Sequence, residues 1–355
     1  MTVKKRILAL ILSALMLAGC SDDNTLRVGV GPLDSDYHKY AVELNEKLEK
    51  SGSSLRLKPI ITADSTASVR LLNNGIIDIA IISASSIEKA LVAESKIDPA
   101  QTLKGAAETE YEILNDKSEV AVYNSTVAGI YDHTIHVIVR ADAPYEDISD
   151  LSEKTVSVGS YDDCAYAVSF GILKDHGIKR PARKIQINTP EKAVEMFKNN
   201  QAEALFLFDK VPSTYVTELA NSMDIQFLSV DKHRLKSITK YEKSLTSTVI
   251  NANQYKGQKE AVDGIDVKVL IQAHNGTDSS KIAELMKVMF KLEGKTEAQT
   301  KEDVDMTAVR FGTVPNLHLD FHPESVKFYE KFGFKVNAAE HESHLFSVHI
   351  VGSQD

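Results

Sequence analysis

Apolar positions along this chain switch period several times, from two to about 3.6 and back, and each switch marks an element. Leu26 to Val30 is a short β-rich run that stops at Gly31. Ala41, Leu44 and Leu48 then repeat at helical spacing, with Glu43, Glu46 and Lys47 on other faces. Leu55 to Ile61 reads as a second strand. A helix from Ser65 to Asn73, stopped by Gly75, leads into Ile77 to Ile82, an apolar run of the kind buried on both faces of a parallel sheet. The rhythm restarts with strands at Ile135 to Val139 and Thr155 to Val158 and a helix from Ala165 to Lys174, closed by Gly177. A strand at Ile185 to Ile187 is followed by a helix that Thr189-Pro190 opens, with proline at the first helical position. Ala204 to Phe208 is again a buried strand, followed by a helix after Pro212 and a strand from Ile225 to Val230. Beyond residue 246 the pattern predicts a strand at Val267 to Ile271 and helices near Ile282 to Leu292 and Ser325 to Phe332.

Two βαβ series predict an α/β fold of two similar lobes, although neither series repeats the other in sequence. The expected division is a first lobe from 26 to 134, a second from 135 to 245, and a return segment from 246 to 355 that completes the first. Segments crossing between two lobes make a hinge and a cleft, and ligands favour the carboxyl ends of parallel strands. That is the architecture of two-lobed binding proteins.

The first twenty residues set the expected compartment. Lys4, Lys5 and Arg6 precede an apolar stretch, Ile7 to Leu17, that is too short to span a bilayer and has signal-peptide length. Leu17-Ala18-Gly19-Cys20 follows, the pattern of a bacterial lipobox. The expectation is a signal peptide over 1–19, cleavage before Cys20, lipidation (palmitate included) of that cysteine, and a polar tether over 20–25. The body would face the periplasm, anchored to the inner or the outer membrane. Ser21 directly after the cysteine allows outer-membrane delivery, and Asp22 lies one place late for retention.

Charge and cysteines narrow the picture further. The chain of 355 residues carries a formal charge of -9, which becomes -12 once the three cations of the leader are removed. An acidic body without a basic cluster argues against a nucleic-acid partner. With 43% apolar residues a chain of this length can bury its own core. It has to, because Cys20 and Cys164 are the two cysteines and a lipidated Cys20 leaves no internal disulfide. Cys164 reads as a small buried hydrophobe. Among the eleven histidines, His318 and His322 are four apart, but Pro323 follows at once and no HExxH accompanies them. Neither a metal nor a cofactor is expected. Phe328 to Phe334 resembles a helix end of acetyltransferases, yet no Gly-rich acyl-CoA loop precedes it, and an enzyme is not expected.

Several segments resemble the TAXI family of extracytoplasmic solute-binding proteins, which serve TRAP-type (tripartite ATP-independent periplasmic) transporters. His322-Pro323-Glu324-Ser325-Val326-Lys327-Phe328-Tyr329, with Gly333, resembles the family's His-Pro-Gly-Ala-x-Arg-Tyr-Tyr-x-x-x-Gly. Leu71-Leu72, Gly75 and Asp78 match its Leu-Leu-x-x-Gly-x-x-Asp. Tyr131 to Arg140, Leu151 and Val156 to Gly159 follow the family's order of entry into its second lobe, and Asn251 to Tyr255 with Gly257 resembles its return segment. The resemblance spans about 26 to 335. It implies a type II periplasmic-binding-protein-like fold, a small-molecule ligand, usually a dicarboxylate or glutamate, and a membrane transporter as partner. A ligand-sensing or accessory lipoprotein that signals to a membrane receptor is the alternative.

The departures from the family fall in the expected cleft loops. Ser35-Asp36-Tyr37-His38 stands where the family has Gly-x-Tyr-Tyr, Asp64-Ser65 where it has Gly-Ser, and Asp162-Asp163-Cys164-Ala165 where it has Gly-Ser-Gly-Thr. Glycines and hydroxyls at helix N-termini cradle anions, whereas aspartates there cap the helix themselves and repel a carboxylate. A polyol, a zwitterion or a cationic amine fits these loops better than a dianion. Candidate ligand contacts are Tyr37, Asp64, Ser65, Ser85, Tyr131, Asp162, Asp163 and Asp209. Each has a plain structural alternative: a helix cap for the aspartates, loop packing for Tyr37, Ser65 and Ser85, and hinge packing for Tyr131 and its neighbour His133.

Overall fold

A computed structural model describes residues 24–88, 124–161, 165–179, 184–231, 234, 238, 242–291, 314, 319–331, 335–340 and 346–351. Cys20, Asp162, Asp163 and Cys164 lie outside the described residues.

The first series folds as β1 (Thr25–Gly29), α1 (Asp36–Lys50), β2 (Arg56–Ile60), α2 (Ser65–Asn73) and β3 (Ile79–Ser83). Local chemistry fixes these helices. Ser35 caps α1 by accepting from the His38 N–H at 3.2 Å, Asp36 sits in its first turn, and Lys47 and Lys50 lie in its last. Its buried face is Tyr37, Ala41, Leu44 and Leu48. Asp64 caps α2, accepting from the Ala67 N–H at 2.7 Å.

The second series comprises β5 (Val156–Gly159), α3 (Ala165–Asp175), β6 (Ile185–Asn188), α4 (Pro190–Lys198), β7 (Ala204–Asp209), α5 (Thr214–Ser222) and β8 (Ile225–Phe227). Gly159 lets α4 lie close on the sheet. A Cβ there would stand 2.8 Å from Leu207 Cδ1, 2.9 Å from Ala193 Cβ and 3.0 Å from Pro190 Cα.

Two strands of unusual length join the series. β4 (Asn124–Arg140) has 17 residues and β10 (Val262–His274) has 13, far longer than the short runs their apolar centres predict. The sheet order is β2-β1-β3-β10-β4-β7-β5-β6, with β8 on β4 and β9 (Leu245–Ile250) on β10. In each half a central strand lies between two parallel neighbours, β1 between β2 and β3, and β5 between β6 and β7. Antiparallel strands then follow, β10 and β4 in the first half and β4 and β8 in the second. The two halves therefore have the same order, built on one pair of crossing strands. This is the two-lobed type II α/β fold, and its sheet is mixed rather than parallel throughout because both crossing strands run antiparallel.

The crossing strands serve both lobes. Val127 and Ala128 of β4 enter the core of the first half with Leu26, Val28 and Leu44, while Ile135, Val137 and Val139 enter that of the second with Val156, Phe206 and Ile172. β10 does the same, with Val269 and Ile271 in the first core and Ile265 and Val267 in the second.

α6 (Ser279–Met289) and α7 (Pro323–Lys331) cover the first half. There the Tyr329 hydroxyl, fully buried, donates to the Val127 carbonyl at 3.0 Å. A hairpin of β11 (Lys335–Glu340) and β12 (Phe346–Val351) forms a separate two-stranded sheet that the apolar pattern did not predict. Among the described residues no helix is long and apolar enough to cross a membrane.

Candidate functional site

Beyond the carboxyl ends of β1, β5 and β7, three helix N-termini converge with the crossing strand β4 on one small pocket. Ser35, Asp36 and Tyr37 at the start of α1 line it from the first half, and His133 lines it from β4. Tyr161, Pro190, Phe208, Asp209 and Tyr215 line it from the second half. The cavity they enclose is about 10 Å³, the room of a single water molecule.

At its centre are two carboxylates and an imidazole. Asp36, His133 and Asp209 each bring one potential ligand atom within 4.8 Å of the other two. Asp209 is held on both oxygens, by the Lys210 N–H at 2.8 Å and the Ser213 hydroxyl at 2.5 Å. Asp36 Oδ2 stands 3.8 Å from His133 Nε2 and 3.4 Å from Lys210 Nζ. Burial alone would raise the Asp36 carboxyl, but His133, Lys210 and a hydrogen bond with Asp209 outweigh it and hold Asp36 well below the usual carboxylate range. Asp209 moves the other way, pushed up by burial and by the negative charge of Asp36. Of this coupled pair, Asp36 is the ionised member and Asp209 the more readily protonated one.

Aromatic rings wall this centre. Tyr37 stacks on His133 with centroids 5.6 Å apart and planes at 16°, and the Tyr131 ring lies 5.3 Å from that of His133, tilted by 39°. Lys210 Nζ lies 5.1 Å from the centroid of Tyr131 while pairing with Asp36. The ammonium thus sits between an aromatic face and a carboxylate. On the second-half side, the hydroxyls of Tyr161 and Tyr215 both donate to Glu191 Oε1, the former at 2.7 Å. Burial would raise Glu191, but these two donors bring it below its ordinary value; Tyr161 is pushed up to about 12 by burial and by Glu191.

All three converging helices carry a carboxylate at or beside their first turn: Asp36 on α1, Glu191 on α4, and Asp209 bonded to the α5 cap, Ser213. Each end that could attract an anion is already satisfied by a side chain of the protein.

Of the residues the sequence singles out, Tyr37 and Asp209 line this pocket, and Tyr131 lies beside it against His133 and Lys210. Asp64, Ser65 and Ser85 do not line this pocket; Asp64 serves as the cap of α2, Ser65 is its buried first residue, and Ser85 is buried after β3. Asp36 and His133 complete the centre. Asp36 belongs to a loop that departs from the family pattern and His133 reads equally as cleft lining or hinge packing, but their meeting is set by the β4 crossing and leaves no trace in spacing. The Glu191, Tyr161 and Tyr215 cluster is equally hidden, since its members come from three different elements.

The sequence profile of the NMT1-like family matches residues 28–333. The chain belongs to the NMT1-like family. Solved structures similar to this NMT1-like chain are distant. They include the periplasmic aliphatic sulphonate binding protein SsuA from Escherichia coli, at 12% identity over 87% of this chain and 83% of that one, with a TM-score of 0.41. A putative methionine-binding lipoprotein from Bacillus subtilis is 13% identical, over 76% of this chain and 91% of that one, with a TM-score of 0.39. The arginine-bound form of truncated ArgBP from T. maritima is 13% identical, over 76% and 97%, with a TM-score of 0.41. No ligand carries over from likenesses at this distance.

Proposed function

We propose that this NMT1-like chain is an extracytoplasmic solute-binding protein of TAXI type. In this reading it is lipid-anchored through Cys20, captures a small cationic or neutral polar solute between its lobes, and delivers it to a TRAP-type membrane transporter. The observation that carries the reading is the pocket where the two half-sheets meet, lined from both, with Asp36 and Asp209 on its walls and Glu191 behind the Tyr161 and Tyr215 that line it. The position of Lys210 adds to it: its ammonium takes the place, between Asp36 and Tyr131, that an amine solute would occupy. A cavity near 10 Å³ admits no organic solute as it stands, so entry requires the lobes to part and Lys210 to swing out. Solute binding would then favour the closed state over the open one.

The test is a thermal-shift screen of the purified chain against polyamines, amino acids, polyols and dicarboxylates. A solute present at about 100 times its dissociation constant stabilises the folded chain by about 2.7 kcal/mol. The account expects a shift with an amine or neutral solute that disappears in Asp36→Ala. A shift with dicarboxylates alone would show that the anion chemistry of the TAXI family survives. No shift with any of the four classes contradicts solute capture and favours the sensing or accessory reading.

A further inference from the structure

We infer that Asp36, His133 and Asp209 form a binding site for one divalent transition-metal ion, seated where the two lobes meet. This deepens the proposed function by adding a second ligand to the same cleft, and it rests on that cleft being a binding site.

Three observations carry it. First, the two carboxylates and the imidazole bring their ligand atoms within 4.8 Å of one another from three separate elements: α1, β4 and the end of β7. Metal–ligand bonds of about 2.0–2.2 Å separate tetrahedral ligand atoms by about 3.3 Å, so modest side-chain motion closes the set. Second, His133 is 8% exposed, and its buried Nε2 makes no hydrogen bond; the Asp36 oxygen it faces, at 3.8 Å, is beyond hydrogen-bonding range. A buried imidazole nitrogen that faces two carboxylates across that gap has the direction of a metal ligand, and a doubly charged ion would displace its proton and take up the lone pair. Third, Asp209 is oriented on both oxygens by the Ser213 hydroxyl and the Lys210 N–H, the kind of outer support that fixes a ligating carboxylate. The space among these residues suits a single ion or water, not an organic molecule.

The donor set decides the class of ion. One imidazole nitrogen with two carboxylate oxygens suits zinc, manganese, iron or cobalt, and is a poor match for calcium, which takes six to eight oxygens. Lys210 is the built-in competitor: its ammonium already pairs with Asp36 and is 46% exposed, free enough to swing aside when a doubly charged ion arrives. Because the three ligands come from both lobes and the crossing strand, the ion would hold the lobes together.

The experiment uses the purified full chain, stripped with a chelator and titrated with cobalt(II) and zinc(II) by calorimetry, with visible absorption reporting nitrogen ligation to cobalt. The expected result is one equivalent bound, with affinity falling at least 10-fold in His133→Ala and in Asp209→Asn. Lys210→Met, which removes a competing cation at a half-exposed position, binds at least as tightly as the wild type. Melting curves without metal confirm that each variant is folded. Three results overturn the proposal: no stoichiometric binding, binding that survives both ligand substitutions, or weaker binding in Lys210→Met. The two claims fail separately. Solute shifts without metal binding remove the ion and leave the solute-capture reading intact, whereas metal binding without any solute shift leaves the ion and removes the organic solute.

Discussion

His136 offers a quantitative test of how the crossing strands are held. It is fully buried on β4, and its Nδ1 lies 3.1 Å from the Thr134 carbonyl and 3.3 Å from that of Leu207. Its Nε2 lies 2.7 Å from the Tyr255 hydroxyl, which in turn accepts from the Ser213 N–H at 2.8 Å. Two carbonyls demand a proton on Nδ1. The tyrosine hydroxyl, already an acceptor, spends its one proton on Nε2. The ring is therefore neutral, and burial above all, with the charge of nearby His133, lowers its pKa from 6.5 to about 4. Between those values the unfolded chain binds more protons than the folded one, so this contribution is complete above pH 6.5 and is lost as pH falls through 4. A shift of that size is worth about 3 kcal/mol. Asp266 works in the opposite sense: burial raises its carboxyl to about 6, so its penalty is relieved on acidification. The wild-type profile alone will therefore look flat, and the informative quantity is the gap to His136→Asn. Urea unfolding from pH 7.5 to 4 should show that gap narrowing by about 1.4 kcal/mol per pH unit between roughly pH 6 and 4.5. A gap independent of pH refutes the neutral, desolvated histidine.

Three further outcomes follow from the same contacts. Tyr255→Phe leaves the Ser213 N–H and His136 Nε2 without their shared partner, and urea unfolding should register a loss of about 1–3 kcal/mol. Gly159→Ala places a methyl group against Leu207, Ala193 and the Pro190 backbone, and the same assay should read about 1–3 kcal/mol of overpacking. Lys268→Met strands Asp132, whose side chain is 14% exposed, and should cost about 3 kcal/mol, most of it recovered when Asp132→Leu is added. Recovery absent from that double variant would mean the pair adds net stability.

How much of this was legible depends on whether a residue's role is local. Helix α2 runs from Ser65 to Asn73, as its pattern predicts, because a cap at Asp64 and a stop at Gly75 are adjacent in sequence. The buried runs of β3 and β7 were equally visible. The full lengths of β4 and β10 were not, because outside their apolar centres both strands carry polar residues that pair across the ladder, Asp132 with Lys268 and Thr134 with Asp266. β9 was missed for a similar reason: Thr246, Ser247 and Thr248 leave little apolar signal in a strand that is half-exposed. At the pocket, Tyr37 and Asp209 stood out as an aromatic and an acid just past strand ends, and Tyr131 as a residue at the entry to the second lobe. His133 and Glu191 acquire their roles from partners on other elements, Asp36 for the first and Tyr161 and Tyr215 for the second, and no spacing records that.

The claim that the lobes close on a solute is tested most directly by the distance between them. Spin labels placed at the exposed positions 46 on α1 and 198 on α4, in a background with Cys20 and Cys164 changed to serine, report that distance by pulsed electron resonance. The account predicts that a solute which raises the melting temperature also collapses the distribution onto one short, narrow distance. The same distribution with and without that solute at saturation would contradict closure and the function built on it.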